Sequence, residues 1–475
     1  MPPYLALFLW LVILVGLFWF DPAKEPKVSA ALWVPLTFLF FMASRQPTQW
    51  LSGQVIAGDE ATMNSALEDG SPLNRTVLLA LFVLGIAILV SRSFRWGNFF
   101  RRNWILTAYL LFALLSVLWS DFPLAAFRKW FRDLGNYVMV LVVISESLPM
   151  EALSTLLRRV GYLLIPLSVM MIKYFPDLAR QFDPWTGQGS SCGATTSKNM
   201  LGILCLICGI YFFWDIVVRW PHRKDKRQKR VIYVDVVLTY LTWWLLITCN
   251  SATSMTCLTI ACLVILAAHT KVIQRHPIMF SAAIPVIILT YMLLFFGMGM
   301  SDTFAGAVGR TSLSGRPEIW QLVLSQHSNP LLGTGYESFW MGPRLQRIWS
   351  AGWGGLNEAH NGYLEVYLNL GYIGLLLLLL FMAAVYRNIY KKLKPFSSTG
   401  SFALAIWTAF AFHNSTEADF RTGLMWLVFV LAALAVSGVE REQVSEEKAL
   451  HRARAPEQSP SRIAFSPLPY TRRSS

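Results

Sequence analysis

Charged side chains are scarce in this chain. Asp, Glu, Lys and Arg make up 14% of the 475 residues, against roughly 25% in a soluble domain. Hydrophobic residues make up 55%, and the mean hydropathy is +0.47. Apolar runs recur along most of the chain, each close to the ~20 residues that cross a bilayer as a helix. The composition therefore excludes a soluble globular protein and predicts an all-α, polytopic transmembrane helical bundle.

Acidic residues are scarcer than basic ones, with 27 Asp and Glu against 41 Lys and Arg and a net charge of +14. In a soluble protein this balance would indicate nucleic-acid binding. Here the basic residues cluster in short loops, which is the orientation signal of inner-membrane proteins. We therefore expect membrane lipids, and no nucleic acid, among the partners.

Motifs for common cofactors are also missing. The six cysteines show no metal-site spacing, and the Cys-x-x-Cys pair of Cys205 and Cys208 lies in an apolar run, where packing is a better interpretation than redox chemistry. The absence of a P-loop argues against ATP. The chain has no Asp-x-Asp pair for a nucleotide-sugar site, and no external loop offers the fixed carboxylate pair of a glycoside hydrolase. The sequence thus predicts no metal and no cofactor.

The apolar runs predict about 12–13 spans. They lie near residues 4–20, 29–44, 74–91, 104–119, 134–148, 160–175, 200–218, 231–249, 253–269, 277–299, 363–385, 401–413 and 422–438. The first run lacks the positively charged start of a signal peptide and is interpreted as a retained span. Residues 1–439 then form one integral membrane domain, and the polar tail at 440–475 is predicted to be disordered and cytoplasmic.

The distribution of Lys and Arg predicts the orientation. The basic loops, placed in the cytoplasm, are 92–102, 219–230 and 387–394. The loops on the opposite side are 45–73, 120–133, 176–199, 300–361 and 413–421. This pattern indicates a multi-pass protein of the bacterial inner membrane whose active site faces the periplasm.

One of the opposite loops, 120–133, is basic and aromatic at once. Arg128, Lys129 and Arg132 alternate with large apolar side chains such as Phe127. This alternation is typical of an amphipathic helix that lies in the membrane interface. Lipid headgroups are the favoured ligand of this helix, and an anionic substrate is the alternative.

The loop at 300–361 is much longer than most loops of a membrane bundle. Such loops are usually short because each ordered residue costs conformational entropy. This one contains a short helical pattern, a Gly-rich turn, an arginine and a histidine. It is therefore predicted to be a periplasmic catalytic loop bearing short amphipathic helices.

Arg316 opens the first of these helices. Pro317 suits the first helical turn, and Asn329-Pro330 ends the helix. A helix N-terminus and a guanidinium group both favour anions, which indicates a clamp for phosphate or diphosphate. Insertion among lipid headgroups or pairing with Glu318 explains the residue equally well.

Two further parts of the loop carry candidate residues. Gly333 and Gly335 allow positive φ and close backbone approach, although a simple turn explains them too. His360 directly precedes a membrane helix, with Asn361 as the predicted N-cap. Because the dipole of that helix disfavours an imidazolium, we expect a neutral His360 that accepts a proton in catalysis. A structural histidine is the alternative.

Polar residues elsewhere are weaker candidates. Lys198 and Asn199 open a span after a Gly/Ser/Thr-rich loop. A short external loop crowds several polar side chains together: His413, Asn414, Glu417, Asp419 and Arg421. Capping and turn formation alone can explain each of these residues.

Together the motifs resemble those of a known superfamily. They are Gly-Arg-x-x-x-Trp at 315–320, Pro-Leu-Leu-Gly-x-Gly-x-x-x-Phe at 330–339, His-Asn-Gly-Tyr-Leu at 360–364 and Gly-x-x-Gly-Leu at 371–375. In order and spacing they resemble the O-antigen ligase and polysaccharide polymerase superfamily, most of all its exopolysaccharide polymerase branch. Lys198-Asn199-x-x-Gly202 and the Glu417 loop are also similar to that branch.

The resemblance implies an en bloc glycosyltransferase that takes a glycan from undecaprenyl diphosphate, without a metal. The acceptor is another lipid-linked repeat in a polymerase, which we favour, or lipid A core in an O-antigen ligase. By position, Arg316 matches the arginine that binds diphosphate, and His360 matches the histidine implicated in activating the acceptor. The implied substrate contacts are Lys198, Asn199, Arg310, Gly333, Gly335, Asn361 and Glu417. Other polysaccharide assembly proteins are expected partners.

One feature departs from the family pattern. The family uses a further arginine outside the loop, but the helical hairpin where it is expected reads Asn-Ser-Ala-Thr-Ser at 250–254. Arg180, Arg310 and Lys198 are the candidates to take its place.

Two other classes of function remain open. A transporter or lipid flippase would place functional charges near mid-membrane, whereas Asp215, Asp235 and Glu365 lie near the ends of predicted spans. A non-catalytic scaffold of a polysaccharide assembly complex would leave the chemistry intact when Arg316 is replaced.

Overall fold

The structure, a computed structural model, describes residues 2–21, 28–52, 71–92, 94–182, 189–275, 277–292, 316–326, 328–393 and 398–438. These residues are predominantly helical and include one two-stranded sheet, which confirms the predicted all-α class. The tail at 440–475, Arg310 and the start of the predicted catalytic loop lie outside the described residues.

Nineteen α-helices occur in the described residues. The first ten are α1 (Pro3–Trp19), α2 (Trp33–Ala43), α3 (Pro47–Ser52), α4 (Pro72–Ser91), α5 (Trp96–Arg102), α6 (Trp104–Leu115), α7 (Pro123–Ile144), α8 (Pro149–Tyr174), α9 (Pro176–Ala179) and α10 (Lys198–Arg219). The others are α11 (Lys226–Cys249), α12 (Ala252–Ala268), α13 (Lys271–Arg275), α14 (Pro277–Met292), α15 (Arg316–Ser325), α16 (Gly342–Ser350), α17 (Gly362–Leu393), α18 (Ser398–His413) and α19 (Leu424–Gly438).

Shorter elements complete the described chain. Three 3-10 turns lie at Ala30–Leu32, Ser116–Trp119 and Trp220–His222. Strands β1 (Arg180–Phe182) and β2 (Gly189–Ser191) pair antiparallel, with Arg180 opposite Ser191.

Every predicted span coincides with at least part of an α-helix. Five of the described helices are long and apolar enough to cross a membrane, namely α4, α8, α10, α11 and α17, and the bent pair α5–α6 would add a sixth. Shorter apolar helices, among them α1, α12 and α19, accompany them. The chain is therefore a multi-pass membrane protein, while the total of about 12–13 spans stays a prediction.

The centre of the bundle lies around α18. This helix is buried on almost all sides, and four alanines let its neighbours approach closely. Phe410 near its end stacks on Phe429 of α19, with ring centroids 4.2 Å apart. This packing fixes the end of α18, where His413 and the loop that follows it are found.

The basic segment at 120–133 is not a separate interfacial helix. From Pro123 onward it is the first part of α7, which continues directly into the predicted span. The helical pattern simply has no break at this boundary. Leu124, Phe127 and Phe131 are exposed on one face together with Arg128, and contact of this face with headgroups or with a substrate stays a prediction.

The segment before α10 is ordered by a buried arginine. The Arg45 guanidinium donates to the carbonyl oxygens of Thr195 at 3.3 Å, Gly193 at 3.0 Å and Leu178. A buried cation needs such acceptors because burial removes its water. These bonds hold the chain that leads into Lys198.

A buried ion cluster lies at the C-terminal end of α10. Asp215 accepts from Arg158 Nη2 at 2.8 Å and from Arg219 Nε at 2.7 Å. The turn between α10 and α11 therefore marks the end of the bundle opposite to Lys198.

The segment 329–336 is locked onto a break in α17. The helix is interrupted at Gly371, which has φ +63° and ψ −166°. An added Cβ at Gly371 would overlap the backbone of Leu331, and one at Gly333 would overlap the backbone of Asn369. Two backbones thus touch here, which confirms the close approach predicted for Gly333.

Replacing Gly371 by alanine should lower the free energy of unfolding by about 3 kcal/mol or more, because the new Cβ adds overlap to backbone strain. Thermal unfolding of the detergent-purified protein measures the change. Gly352 has φ +96° and open space around its Cα, so Gly352→Ala should cost about 1 kcal/mol from strain alone. Equal losses in the two variants would contradict the interlock.

Candidate functional site

α15 fixes Arg316 beside the start of α17. Its inner face buries Ile319 and Val323, one helical turn apart, in a small apolar cluster with Phe339 and with Leu368 of α17. Arg316 stands at the N-terminal end of this helix, as the sequence predicted. The apolar pattern of α15 therefore decides where the guanidinium group lies.

His360 is held in place by its neighbours. Ala359 N donates to Glu365 Oε2 at 3.1 Å, and Ala359 O accepts from Trp320 Nε1 at 2.9 Å. Asn361 Oδ1 accepts from a backbone N–H of the first turn of α17, which confirms the predicted N-cap. His360 itself has φ +47°, a conformation that costs about 1–3 kcal/mol outside glycine. The bonds on both sides maintain it.

The two predicted catalytic residues meet at one carboxylate. Glu417 Oε1 lies 3.4 Å from Arg316 Nη2, and Glu417 Oε2 lies 3.7 Å from His360 Nδ1. His360 Nδ1 also lies 2.9 Å from Glu358 Oε1, in an ion pair whose N–H is not directed at the oxygen. Arg316 thus pairs with Glu417, a residue 101 positions away, rather than with the neighbouring Glu318.

We call Arg316, Glu358, His360 and Glu417 the charged cluster. Their side chains are between 13% and 27% exposed. Two cations offset two carboxylates at a place that solvent still reaches. An anionic ligand can therefore approach and replace a carboxylate as the partner of the cations.

The expected neutral state of His360 is wrong. Burial alone would lower the pKa of His360, but the nearby carboxylates of Glu358 and Glu417 outweigh burial and raise it to about 10. Conversely, burial would raise the pKa of Glu358, and the charge of His360 lowers it to about 2. The dipole of α17, which favours a neutral ring, is weaker than two carboxylates at these distances. His360 is an imidazolium at neutral pH and is not ready to accept a proton.

Arg421 fastens the loop that carries Glu417. Its Nη2 and Nε donate to Glu337 Oε2 at 2.6 and 3.0 Å, and its Nη1 donates to Asn357 O at 3.2 Å. A two-pronged guanidinium–carboxylate contact fixes orientation as well as distance. Arg421 therefore ties the Glu417 loop to the segment that leads into Glu358.

Lys198 and Asn199 lie at the same end of the bundle but outside the charged cluster. They begin α10, whose first turn is capped by Ser197. One turn later, Gly202 touches Ser254 of α12. Within the described residues, no hydrogen bond or ion pair joins Lys198 or Asn199 to the charged cluster. Their contact with substrate stays a prediction.

Gly333, Gly335 and Asn361 shape the backbone around the cluster. Gly333 and Gly335 have φ of +70° and +95°, as predicted, and Gly335 N donates to Asn369 O at 2.9 Å. The side chain of Asn361 is occupied as an N-cap. Substrate binding by these three residues stays a prediction.

The sequence argument missed the roles of two acidic residues, Glu358 and Glu337. Only the position of Glu358, two residues before His360, could have indicated its part in the cluster. Arg180 is one of the candidates for the place of the further arginine of the family. Arg180 lies on β1, while Arg421 is close enough for its charge to lower the pKa of Glu358. The position of a second arginine in the site stays a prediction.

Comparisons with known proteins find two similarities of sequence. Residues 236–379 match the O-antigen ligase family, a range that contains Arg316, Glu358 and His360 but not Glu417. The chain is also 25% identical over 311 residues to the exopolysaccharide production protein ExoQ of Rhizobium meliloti (strain 1021), covering 62% of this chain and 67% of that protein. These matches confirm the resemblance of the chain to the O-antigen ligase and polysaccharide polymerase superfamily, and they support a function of the ligase or polymerase type.

Proposed function

We propose that this protein transfers whole glycans from undecaprenyl diphosphate to a sugar hydroxyl at the periplasmic face of the bacterial inner membrane. The observation that carries this proposal is the charged cluster, in which Glu417 joins Arg316 to a protonated His360. Two cations at one end of a membrane bundle suit a diphosphate leaving group. Because the lipid diphosphate is already activated, the reaction needs no ATP.

In the proposed reaction, the acceptor oxygen bonds to the anomeric carbon of the glycan while the bond from that carbon to the diphosphate oxygen breaks. The electron pair of the broken bond leaves with the diphosphate. Arg316 and His360 stabilise the charge that develops there. This role replaces the base that the sequence argument assigned to His360.

The proton of the acceptor hydroxyl goes to a carboxylate in this proposal, and Glu417 is our candidate. Its two oxygens lie between the two cations. When diphosphate oxygens take over Arg316 and His360, the carboxylate oxygens of Glu417 lose these partners and become free to accept a proton. Glu417 later releases the proton to solvent.

We favour a polymerase, in which the acceptor is another lipid-linked repeat. The similarity to a protein named for exopolysaccharide production supports this choice. The match to the O-antigen ligase family supports the alternative, transfer to lipid A core.

A deletion strain distinguishes a polymerase from a ligase. Secreted and surface polysaccharide is resolved by size, next to lipopolysaccharide. A polymerase predicts loss of long polymer with accumulation of single lipid-linked repeats. A ligase predicts long chains that remain on the lipid carrier and are missing from lipid A core. Unchanged profiles of both products would contradict the proposed function.

The proposed transfer is independent of divalent metals. Donor atoms of Glu358, His360 and Glu417 lie within 4.8 Å of one another, so the same side chains could surround a cation. The imidazolium form of His360, however, has no free lone pair for a metal. Transfer by the purified protein should therefore persist in excess EDTA, measured as product from a lipid-linked donor. Loss of activity that Mg²⁺ or Mn²⁺ restores would make the cluster a metal site.

A further inference from the structure

His413 joins α12 to the loop that carries Glu417. Its Nε2 lies 3.2 Å from Ser254 Oγ of α12, and its Nδ1 donates to Asp419 Oδ2. The side chains of His413 and Asp419 are 2% and 9% exposed, and Ser254 is 1% exposed. Both ring nitrogens are thus engaged inside the protein.

Ser254, His413 and Asp419 are linked in the same order as a serine nucleophile, its histidine base and an aspartate. Burial argues against that role, since no substrate can reach a hydroxyl that is 1% exposed. Ser254 Oγ also accepts from Ser251 Oγ at 3.0 Å. The ring of His413 therefore acts on the structure around it, and not on a substrate.

The backbone of His413 holds the turn that presents Glu417. His413 O accepts from Glu417 N at 2.9 Å and from Thr416 N at 3.1 Å. Thr416 Oγ1 in turn donates to Thr253 Oγ1 of α12 at 3.2 Å. His413 thus holds the turn through its backbone carbonyl group, and its imidazole contacts Ser254 and Asp419.

We propose that His413, held by Ser254 and Asp419, is a positioning residue that sets Glu417 between Arg316 and His360. This inference rests on the proposed function, because it assumes that Glu417 takes part in transfer. Glu417 lies 3.4 and 3.7 Å from its partners, so a shift of about 1 Å would separate it from one of them. A displacement of this size can reduce a rate about 100-fold.

The test uses the full-length protein in detergent with a lipid-linked donor and a sugar acceptor. Ser254→Ala, Asp419→Asn and His413→Gln should each lower kcat about 10- to 100-fold, while KM for the donor changes less than about threefold. His413→Gln should retain more activity than His413→Phe, because an amide can still reach both neighbours. Thr408→Ala is the control, since Thr408 is a buried hydroxyl of α18 that donates to Leu404 O of its own helix.

Folding is followed in every variant by thermal unfolding and gel filtration. Asp419→Asn keeps the shape of the side chain, so it provides a folded protein when a His413 variant does not. Wild-type kcat in both Asp419→Asn and Ser254→Ala would overturn the inference. Losses that match the loss of folded protein, with kcat per folded molecule unchanged, would overturn it as well.

Glu417→Gln in the same assay separates this inference from the proposed function. If Glu417→Gln and Arg316→Ala abolish transfer while the Ser254 and Asp419 variants turn over normally, only the positioning role is wrong. If Glu417→Gln itself transfers at the wild-type rate, the proposed function of the cluster fails.

Discussion

Replacing Arg316 by alanine is expected to reduce glycan transfer about 100- to 1,000-fold, because one of two cations for the leaving diphosphate is lost. The protein should still insert and accumulate normally, since the burial of Ile319 and Val323 keeps α15 in place. Arg316→Lys keeps the charge but loses the two-pronged geometry of a guanidinium. Its activity should lie between that of the wild type and Arg316→Ala. Turnover of a lipid-linked donor by the purified protein provides the measurement.

Arg347 offers the matched control for Arg316. It lies on α16 in the same loop, is exposed, and its Nε donates to Gln326 at 3.1 Å, outside the charged cluster. Arg347→Ala should transfer at close to the wild-type rate. If Arg316→Ala does the same, the protein is a scaffold or the site lies elsewhere.

The second large effect concerns His360. Its pKa of about 10 predicts that transfer stays level through neutral pH and falls as pH rises through about 10, because the imidazolium loses its charge. The charged groups around it are Glu358, Glu417, Arg316 and Arg421. A neutral histidine acting as the base would give the opposite profile, with activity rising through about pH 6.5. The pH dependence of kcat decides between these two roles.

His360→Ala is expected to abolish transfer, and His360→Gln to keep a small activity without the alkaline decline. His222, in the turn at the opposite end of α10, provides a control histidine. If kcat of His360→Gln still falls at alkaline pH, the decline belongs to another group, such as the acceptor hydroxyl.

The free energy of unfolding should depend on the same ionisation of His360. The folded pKa of His360 is above the value of about 6.5 for an unfolded chain. Its contribution to stability is therefore fully present below about pH 6.5 and is lost as pH rises through about 10. The difference in melting temperature between wild type and His360→Gln should shrink over this range. A constant difference would contradict the raised pKa.

The sequence by itself determined the helical membrane class and the helices that coincide with the predicted spans, and it singled out Arg316 and His360 as candidate site residues. Apolar runs near ~20 residues have few stable alternatives, because a backbone in lipid must satisfy its own hydrogen bonds. Arg316 and His360 were found because each ordered residue of a long loop costs conformational entropy, which made this loop a candidate site. Asn361 as an N-cap and the positive φ of Gly333 and Gly335 were likewise local consequences of residue type.

Only the tertiary structure decided the chemistry at His360. The helix dipole was visible in the sequence, but the carboxylate of Glu417 is 57 positions away and comes to the ring through the packing of α18 and the loop after it. Contacts between distant segments depend on the whole bundle, and a pKa depends on charges within a few ångströms. The same reason explains why the contacts of Arg421 with Glu337 and of His413 with Ser254 could not be predicted. A charged or hydrogen-bonding group acquires its role from the partner that folding brings to it.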